Sequence, residues 1–543
     1  MGKPSPFAIT ISFTSLLLVI VLLLSLRASC AAPTPTTDSV YETFVHCLRN
    51  NINSPNTSNI VFAQTNASYD SILRAYIRNA RFNTSSARKP LIIVTPLQES
   101  HVPTAIICAK SVDIQIIIRS GGHDFEGLSY ISDEPFIMLD MFNLRNISVD
   151  VQNKVAVIQA GATLGEVYYR IWEKSNVHGF PAGVCHTVGV GGHFSGGGYG
   201  NMMRKYGLSI DHIIDAQIVD VKGRILNKES MGEDLFWAIR GGGGASFGVI
   251  LSYTIRLVPV PEIVTVFQVE KTLEQNATDL VMQWQQVAPH TDERLFMRLH
   301  LHPMISNVGE RHKTVRAAVM TLFLGGADEL VLLLEKEFPI LGLKKENCIE
   351  MSWIESAIWW DSFQNGTQPD ALLGRKLNSA KFLKRKSDYV KTPISKEGLE
   401  WIWKRMIELG QTSMAFSPYG GRMNEISANA TAFPHRAGNL FKIEYSVNWE
   451  EPGVVAEKNF TTQIRRLYSY MTPFVSKNPR SAFLNYRDLD IGINHHDNNS
   501  YQEGKVYGIK YFDNNFYRLV KIKTEVDQEN YFRNGQSIPT LKL

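Results

Sequence analysis

Several classes of protein are excluded by what this sequence lacks. Cysteine is scarce, with 5 in 543 residues, which rules out a small disulfide-stapled scaffold. No internal repeat or low-complexity tract is present, so solenoid and fibrous proteins are excluded as well. Basic residues do not cluster with aromatic ones and the formal net charge is only +4, which argues against a nucleic-acid partner. Beyond residue 30, no apolar run is long enough to span a bilayer.

What is present indicates a globular protein of two large domains. The chain is 44% hydrophobic and 20% charged, as folded domains are, and it is too long for one simple core. Apolar and helical stretches alternate up to about residue 260, where the spacing changes to long strands. We predict an α+β protein with a domain boundary near 258–261. Predicted strands cover 91–94, 114–118, 213–221, 294–302 and 440–448, and predicted helices cover 101–111, 164–173, 397–409 and 230–240, the last capped by Ser230.

The N-terminus predicts entry into the secretory pathway. Lys3 precedes an unbroken apolar run over 16–24, and Ala28, Ser29 and Cys30 offer small residues for cleavage, so residues 1–30 are interpreted as a signal peptide. The alternative is a membrane anchor, because the apolar stretch over 7–26 approaches spanning length. N-glycosylation sequons agree with export and stand at Asn56, Asn66, Asn83, Asn146, Asn276, Asn365, Asn429, Asn459 and Asn498.

Four cysteines remain after such a cleavage: Cys47, Cys108, Cys185 and Cys348. An exported protein can oxidise a pair, and we favour Cys47 with Cys108, which would tie an N-terminal helix to the following domain. The sequence alone leaves this pairing open.

Glycine clusters mark three places where the backbone would approach a ligand. The first, over 119–124, follows a predicted strand and could form an anion-binding nest. The second runs from Gly183 to Gly200 around Cys185, and the third covers 240–248. The second cluster contains a Gly-x-Gly-x-x-Gly spacing but lacks the strand–turn–helix unit of a dinucleotide fingerprint. A simple strand-ending turn is the alternative for the first.

With these loops the chain resembles the berberine bridge enzyme-like family of plant oxidases, in the vanillyl-alcohol-oxidase superfamily. The resemblance extends over the whole mature chain and rests on specific motifs. These are Arg119-Ser120-Gly121-Gly122-His123-Asp124, residues 161–169, Phe433-Pro434-His435-Arg436, Asn485-Tyr486-Arg487-Asp488-Leu489-Asp490 and residues 532–539. It implies a two-domain PCMH-type FAD-binding fold: a FAD domain over 31–260, an antiparallel-sheet substrate domain over 261–479, and a C-terminal segment over 480–543 that returns to the FAD domain.

The resemblance further implies FAD held by two covalent links, from His123 to the flavin 8α-methyl carbon and from Cys185 to ring carbon 6. Two links would fix the ring and raise its potential. A turn histidine and a buried free thiol are the alternatives. The other expected cofactor-binding residues are Arg119, Ser120, Gly121, Gly122, Asp124, Val188, Gly189, Gly192, His193, Gly197, Tyr199 and Gly248.

Tyr486 matches the family's active-site tyrosine. A phenol titrates near pH ~10, so a tyrosine base needs a cation beside it, and Lys442 is the candidate. Strand alternation puts Lys442 and Glu444 on one face, so the three residues are predicted to handle protons. An ion pair on a solvated strand face is the alternative for Lys442 and Glu444.

The expected substrate pocket includes Phe125, His300 and Ser417. His300 shares its strand face with Arg298 and His302, so an ordinary polar face is an open alternative. Phe125 replaces the tyrosine of monolignol-oxidising relatives, Ser417 and Lys442 depart from cannabinoid-forming relatives, and His186 replaces a commoner proline. With no charged cleft evident, we expect a neutral phenolic, terpenoid-phenolic or sugar substrate.

The leading functional hypothesis is an oxidase that takes hydride from an alcohol or an activated C–H carbon and passes electrons to O2, giving H2O2. Val188, three residues after Cys185, would leave room for O2 where a leucine gives a dehydrogenase. The alternatives are a flavin-dependent oxidative cyclase or pericyclase, and a carbohydrate-binding or storage glycoprotein. We expect a monomer that is secreted to the apoplast or cell wall, or delivered to the vacuole. No metal site is expected, since His495 and His496 are interpreted as solvent-exposed.

Overall fold

The computed structural model describes Gly2 and residues 37–52, 59–306, 311–376 and 381–541. The predicted signal peptide and the sequon at Asn56 therefore lie outside the described residues. The helices are α1 Thr37–Asn51, α2 Tyr69–Arg74, α3 His101–Ser111, α4 Leu164–Lys174, α5 Val190–Ser195, α6 Met203–Tyr206, α7 Lys228–Ala238, α8 Ala277–Val287, α9 Ala327–Glu337, α10 Trp353–Trp360, α11 Lys396–Leu409, α12 Arg422–Glu425, α13 Val454–Tyr470, α14 Ser500–Phe512 and α15 Asn515–Val526.

Eighteen strands form four sheets in the described chain. They are β1 Val61–Ala63, β2 Ile92–Val94, β3 Gln115–Arg119, β4 Phe136–Asp140, β5 Ile147–Asp150, β6 Val155–Gln159, β7 His178–Gly179, β8 Ile213–Val219, β9 Ile225–Leu226, β10 Val249–Arg256, β11 Val258–Pro259, β12 Val264–Thr272, β13 Leu295–Ile305, β14 Lys313–Phe323, β15 Ile349–Met351, β16 Phe382–Val390, β17 Ser413–Pro418 and β18 Phe441–Trp449. The predicted α+β class is confirmed.

The N-terminal part contains a four-stranded sheet and a five-stranded sheet. The four-stranded sheet has the order β1-β2-β4-β3, in which β2 and β3 both pair in parallel with β4. β2 and β4 are buried throughout, and accordingly β2 is wholly apolar and β4 is apolar up to its last residue, Asp140. The five-stranded sheet, β5-β6-β10-β8-β9, is antiparallel.

The chain then enters an antiparallel seven-stranded sheet of order β15-β12-β14-β13-β17-β18-β16. Helices α8, α11 and α13 cover one face with buried residues such as Trp284, Trp403 and Leu467. Alternation along β13 and β18 places polar side chains on the other face. That face turns towards the N-terminal part, because its polar residues and the glycine loops line one cavity.

The C-terminal segment packs back on the N-terminal part, as expected. Tyr507 of α14 and Leu519 of α15 belong to the same buried core as Ala238. The buried Lys523 ammonium donates to the Ser246 carbonyl at 2.7 Å and pairs with Asp527. These contacts fix the end of the chain beside the third glycine cluster.

Most predicted elements are confirmed to within a few residues, and one helix start is wrong. The helix predicted from Ser230 begins at Lys228 and is capped by Asn227, whose side chain accepts from the Ser230 N–H. It is kinked at Gly232, where φ is 74°. Ser230 is therefore the third helical residue of a capping box and not the cap itself.

The described chain exposes its glycosylation sequons and contains a disulfide. The asparagines of all eight described sequons are exposed. Cys47 and Cys108 form a disulfide between α1 and α3, with Cα atoms 5.7 Å apart, while Cys185 and Cys348 are free. None of the described helices has the length and apolar character needed to cross a membrane.

We expect loss of the disulfide to destabilise the protein. In Cys47→Ser/Cys108→Ser, a closed loop with a sequence separation of 61 residues is released in the unfolded chain. The free energy of unfolding should fall by up to about 4 kcal/mol, measured as a lower thermal midpoint. Cys348→Ser, which removes a free thiol, is the matched control, and equal midpoints for the double variant and this control would contradict the prediction.

Candidate active site

A cavity of about 430 Å³ lies between the glycine loops of the N-terminal part and the polar face of the large sheet. His123, Cys185 and Tyr486 all line it. His123 comes from the first glycine cluster, residues 119–124, and Cys185 from the second, residues 183–200; these are the two glycine loops. Tyr486 ends a short 3₁₀ turn, Leu484–Tyr486. The fold thus brings together three of the residues that the sequence singled out.

The two glycine loops contact each other backbone to backbone. A Cβ at Gly121 would lie far inside van der Waals contact of the Gly189 backbone nitrogen, and a Cβ at Gly189 would collide with Gly121 in return. Across the same contact, His123 Nε2 is 2.9 Å from Thr187 Oγ1. Glycine is needed here so that the two loops can approach closely enough to share one cavity.

The environment of His123 favours a neutral imidazole. Burial lowers its pKa to about 3, and the nearby positive charge of Arg78 acts in the same direction. A neutral ring nitrogen has a free electron pair at physiological pH, which a nucleophile requires.

Cys185 opens onto the cavity as a free thiol. The side chain is exposed to the cavity, where desolvation by the surrounding walls and the nearby Asp361 carboxylate raise its pKa to about 12. The thiol form is therefore strongly favoured at neutral pH, and bond formation at this sulfur requires a proton acceptor.

Most of the other predicted cofactor residues also line the cavity, namely Ser120, Gly121, Gly122, Asp124, Val188, Gly189, Gly192, His193, Tyr199 and Gly248. Arg119 lies outside its lining. Its guanidinium is fully buried and pairs with Asp140 at 2.7 Å and with the carbonyls of Ile72 and Leu73. Arg119 therefore joins β3 to α2, and contact with a cofactor is not supported. Gly197 also lies outside the lining, packed against Phe433 and Phe483.

Tyr486 and Tyr199 form a hydroxyl pair in direct contact. The Lys442 ammonium lies behind them, 3.1 Å from the Tyr199 ring centre and 4.1 Å from the Tyr486 ring centre. Lys442 Nζ is buried and has no hydrogen-bond partner among the described residues. Burial lowers the pKa of Lys442 well below its usual value, while the nearby Glu444 carboxylate acts in the opposite direction.

Two arginines outside the set of predicted site residues, Arg298 and Arg385, also line the cavity. Arg385 pairs with Glu444, with 3.1 Å between Nε and Oε1. Arg298 lies 5.2 Å from the Trp360 ring centre and donates to Tyr199 Oη at 3.4 Å. Burial opposes the charge of Arg298, but the neighbouring phenol groups and Glu444 outweigh it and raise its pKa. The expectation of an uncharged cleft is therefore wrong.

Of the three predicted substrate-pocket residues, only one lines the cavity. Phe125 lines the cavity, with its ring centre 5.6 Å from that of Tyr486. Ser417 is buried and pairs in register with Lys442. His300 pairs with Ala415 of β17, which pairs in turn with Glu444 of β18, so the three residues form one row across the sheet. Burial lowers the pKa of His300 to about 4. Neither Ser417 nor His300 reaches the cavity lining.

An ionic frame joins the loop of His123 to the loop of Tyr486. Arg487 pairs with Asp124 at 3.2 Å. Buried Lys384 contacts the Glu126 carboxylate and lies 2.7 Å from Asp488. One sign of this frame is visible in the sequence, because β16 carries charged residues on both faces, which is unusual for a strand.

The described part of the chain contains no group of three residues that could hold a metal ion. His495 is exposed and pairs with Glu503 at 2.9 Å, while His496 is half-buried.

The cavity residues fit a flavin. A Cβ at Gly192 would meet nothing within 4 Å although the residue lines the cavity, so the loop leaves open space that a flat ring system can occupy. The neutral imidazole of His123 and the free thiol of Cys185 both line this space.

We expect two glycine variants to separate folding from cofactor binding. Gly121→Ala forces the glycine loops apart and should lower the thermal midpoint. Gly192→Ala has room for its methyl group and should keep the midpoint of the cofactor-free protein while reducing the amount of FAD bound, because the methyl enters the ligand space. FAD content from absorbance and the midpoint decide this, and full FAD content in Gly192→Ala would contradict it.

Comparison with known proteins agrees with this site. Residues 90–228 match the family described as FAD binding domain, and residues 482–539 match the family described as Berberine and berberine like. Berberine bridge enzyme-like 21 of Arabidopsis thaliana is 59% identical over 98% of this chain and 99% of its own length.

Among solved structures, Bermuda grass isoallergen BG60 superposes with a TM-score of 0.87 at 44% identity, covering 92% of this chain and 100% of that one. The grass pollen allergen Phl p 4, described as having glucose dehydrogenase activity, superposes with a TM-score of 0.87 at 41% identity over the same shares. An isoleucine-to-valine variant of Phl p 4 is described as a glucose oxidase. This chain therefore belongs to the berberine bridge enzyme-like family of FAD-dependent oxidoreductases.

Proposed function

We propose that this protein is an exported oxidase with FAD linked covalently to His123 and Cys185. It takes hydride from an alcohol or activated C–H carbon of a plant metabolite or saccharide and passes electrons to O2, giving H2O2. The observation that carries the proposal is the shared cavity of His123, Cys185 and Tyr486. The exposed sequons and the Cys47–Cys108 disulfide support passage through the secretory pathway to the apoplast or vacuole. Residues 31–260 and 480–543 would hold FAD, and 261–479 would bind substrate in a monomer.

When bound, FAD supplies the hydride acceptor. The chain's own residues handle the substrate proton. The Tyr199–Tyr486 pair lies at the cavity surface with Lys442 behind it and Arg298 beside it. Burial and Glu444 raise the pKa of Tyr486 well above its usual value, while Arg298 lowers it. Tyr486 can thus act as a base only in its phenolate form, which requires a nearby cation to offset the negative charge of the phenolate.

We expect Tyr486→Phe to slow substrate-driven reduction about 100-fold, the scale for loss of a positioned acid–base group. Tyr517→Phe, at an exposed position, is the control. Lys442→Ala should move the alkaline midpoint of the rate to higher pH, because losing a potential cation makes the phenol harder to ionise. Stopped-flow absorbance across pH measures both, and an unchanged rate in Tyr486→Phe would remove Tyr486 from the chemistry.

Val188 supports O2 as the electron acceptor. It lines the cavity three residues after Cys185, and its N–H donates to the Cys185 carbonyl at 3.2 Å. A valine leaves space beside a bound ring that one more methylene would fill, and packed sites do not yield easily to added volume.

In Val188→Leu, reoxidation of the reduced enzyme by O2 should slow by at least about tenfold, because the added volume closes a space that can relax only at a cost of about 1–3 kcal/mol. Reduction by substrate should remain nearly unchanged. Val184→Leu, at another lining position, controls for general crowding. Equal reoxidation rates in Val188→Leu and wild type would indicate a different route for O2, and a wild type that needs an artificial acceptor would be a dehydrogenase.

The charged side chains that line the cavity favour one class of substrate over another. Arg385 forms an ion pair with Glu444, whereas the guanidinium of Arg298 contacts aromatic groups and forms no ion pair with a carboxylate of the described residues. An unmatched guanidinium favours a negatively charged group, and a carboxylate is its best partner. A substrate with a carboxylate near its reacting carbon would therefore bind better than its neutral counterpart.

We expect glucuronate to have a kcat/KM about tenfold above that of glucose, the scale of a charge-assisted hydrogen bond. In Arg298→Gln the ratio of kcat/KM for glucuronate to kcat/KM for glucose should fall towards one, even if both values fall. Peroxide release and anaerobic bleaching of the flavin measure turnover, with monolignols and cello-oligosaccharides in the same panel. A preference for glucose would contradict the role of Arg298, and ring closure of a substrate without bleaching would identify a cyclase in place of an oxidase.

A further inference from the structure

The turn that carries Cys185 lacks a residue that would fix it from within. Val188 N–H donates to the Cys185 carbonyl, which makes residues 185–188 a β-turn with His186 in the second position. Proline is favoured at that position because its ring presets the backbone angle φ. Histidine gives no such restriction, so the turn must be held by contacts from elsewhere.

The N–H groups of Leu164 and Gly165 hold the turn through its carbonyls, and Asp361 binds His186 from the other side of the domain interface. It directly follows α10, and its Oδ2 accepts the His186 backbone N–H at 2.8 Å and also contacts the ring nitrogen Nδ1. Only 13% of the Asp361 side chain and 15% of the His186 side chain are exposed. Phe363 packs on the His186 ring, with centres 5.0 Å apart. A carboxylate only accepts hydrogen bonds, so Nδ1 carries the proton in this arrangement.

Both donors depend on the residue type at position 186. A proline would lack the backbone N–H and the imidazole, so Asp361 would have nothing to hold. Thr187, the next residue of the turn, contacts His123 Nε2. The turn held by Asp361 therefore touches both residues proposed to attach the flavin.

We propose that Asp361 is a positioning residue that holds the Cys185 thiol in place for attachment to the flavin, taking over the role of a proline in the turn. This inference rests on the proposed covalent link. In that link the thiol loses its proton, a bond forms between Sγ and ring carbon 6, and the hydrogen on carbon 6 is lost. The two electrons pass through the flavin to O2, which leaves as H2O2 with the two protons released.

Asp361→Ala tests the proposal through the chemistry of the purified protein, without an activity assay. Formation of the cysteinyl link should slow by about 10- to 100-fold, the scale for misplacing a reacting atom by about 1 Å. Much of the variant should then carry flavin on His123 alone, with Cys185 open to alkylation after denaturation. Peptide mass spectrometry measures both fractions. Asp370→Ala, at an exposed position in the same segment, should match wild type.

A double variant separates positioning of the turn from general stability. His186→Pro/Asp361→Ala should recover the cysteinyl link, because proline fixes the turn without the carboxylate. If Asp361→Ala fails to accumulate, Asp361→Asn replaces it in both experiments. Asparagine keeps the volume but offers a neutral carbonyl oxygen in place of the carboxylate, so both hydrogen bonds weaken and part of the link should be lost.

The outcomes are distinguishable. A wild type without flavin on Cys185 would overturn the proposed function and this inference together. A bicovalent wild type with an equally bicovalent Asp361→Ala, or Asp361→Asn where that variant is used, would overturn the inference alone. Loss of the link that proline does not restore would show that Asp361 does not act by fixing the turn.

Discussion

The close approach of the two glycine loops is the constraint on which the site depends. Gly121 and Gly189 leave no space for a side chain between them, and this contact brings His123 to 2.9 Å from Thr187, two residues after Cys185. A chain has few ways to bring side chains from two loops that are distant in sequence to one bound ligand. Here the distance between them is set by backbone packing, which does not relax as side-chain rotamers do. The rest of the molecule serves to keep these loops, the polar sheet face and Tyr486 in register.

Ion pairs at the domain interface help to fix the relative positions of these loops. Lys384 lies between Glu126 and Asp488, and Arg487 pairs with Asp124. Burying such charges costs desolvation that their attraction barely recovers, so their contribution to net stability is small. Their value lies in specificity, because Lys384 can satisfy both carboxylates only when the loops of His123 and Tyr486 lie at the correct separation. Asp361 acts in the same way on the loop of Cys185, reaching His186 across a sequence separation of 175 residues.

The sequence predicts secondary structure and local motifs well, but it does not reveal contacts between residues that are distant along the chain. Helix α3 and the polar face of β13 follow from side-chain periodicity, and the motifs around His123, Cys185 and Tyr486 indicated the cavity. Arg119 was misassigned because a motif does not show which way each side chain points, and it pairs with Asp140 instead. Arg385 was missed because charges on both faces of β16 hide the alternation, and Asp361 because its partner is distant in sequence. Lys442 was identified as a neighbour of Tyr486, but its charge depends on burial that no spacing reveals.

Covalent attachment at both His123 and Cys185 is the central claim, and peptide mapping of acid-denatured wild-type protein tests it most directly. Two covalent links predict that the denatured protein stays yellow after gel filtration, and that a single flavin mass joins the peptide containing His123 to the peptide containing Cys185. Release of all FAD into the small-molecule fraction, with both peptides unmodified, would contradict the claim. Flavin on the His123 peptide alone would leave the fold and the hydride chemistry standing while removing Cys185 from the attachment.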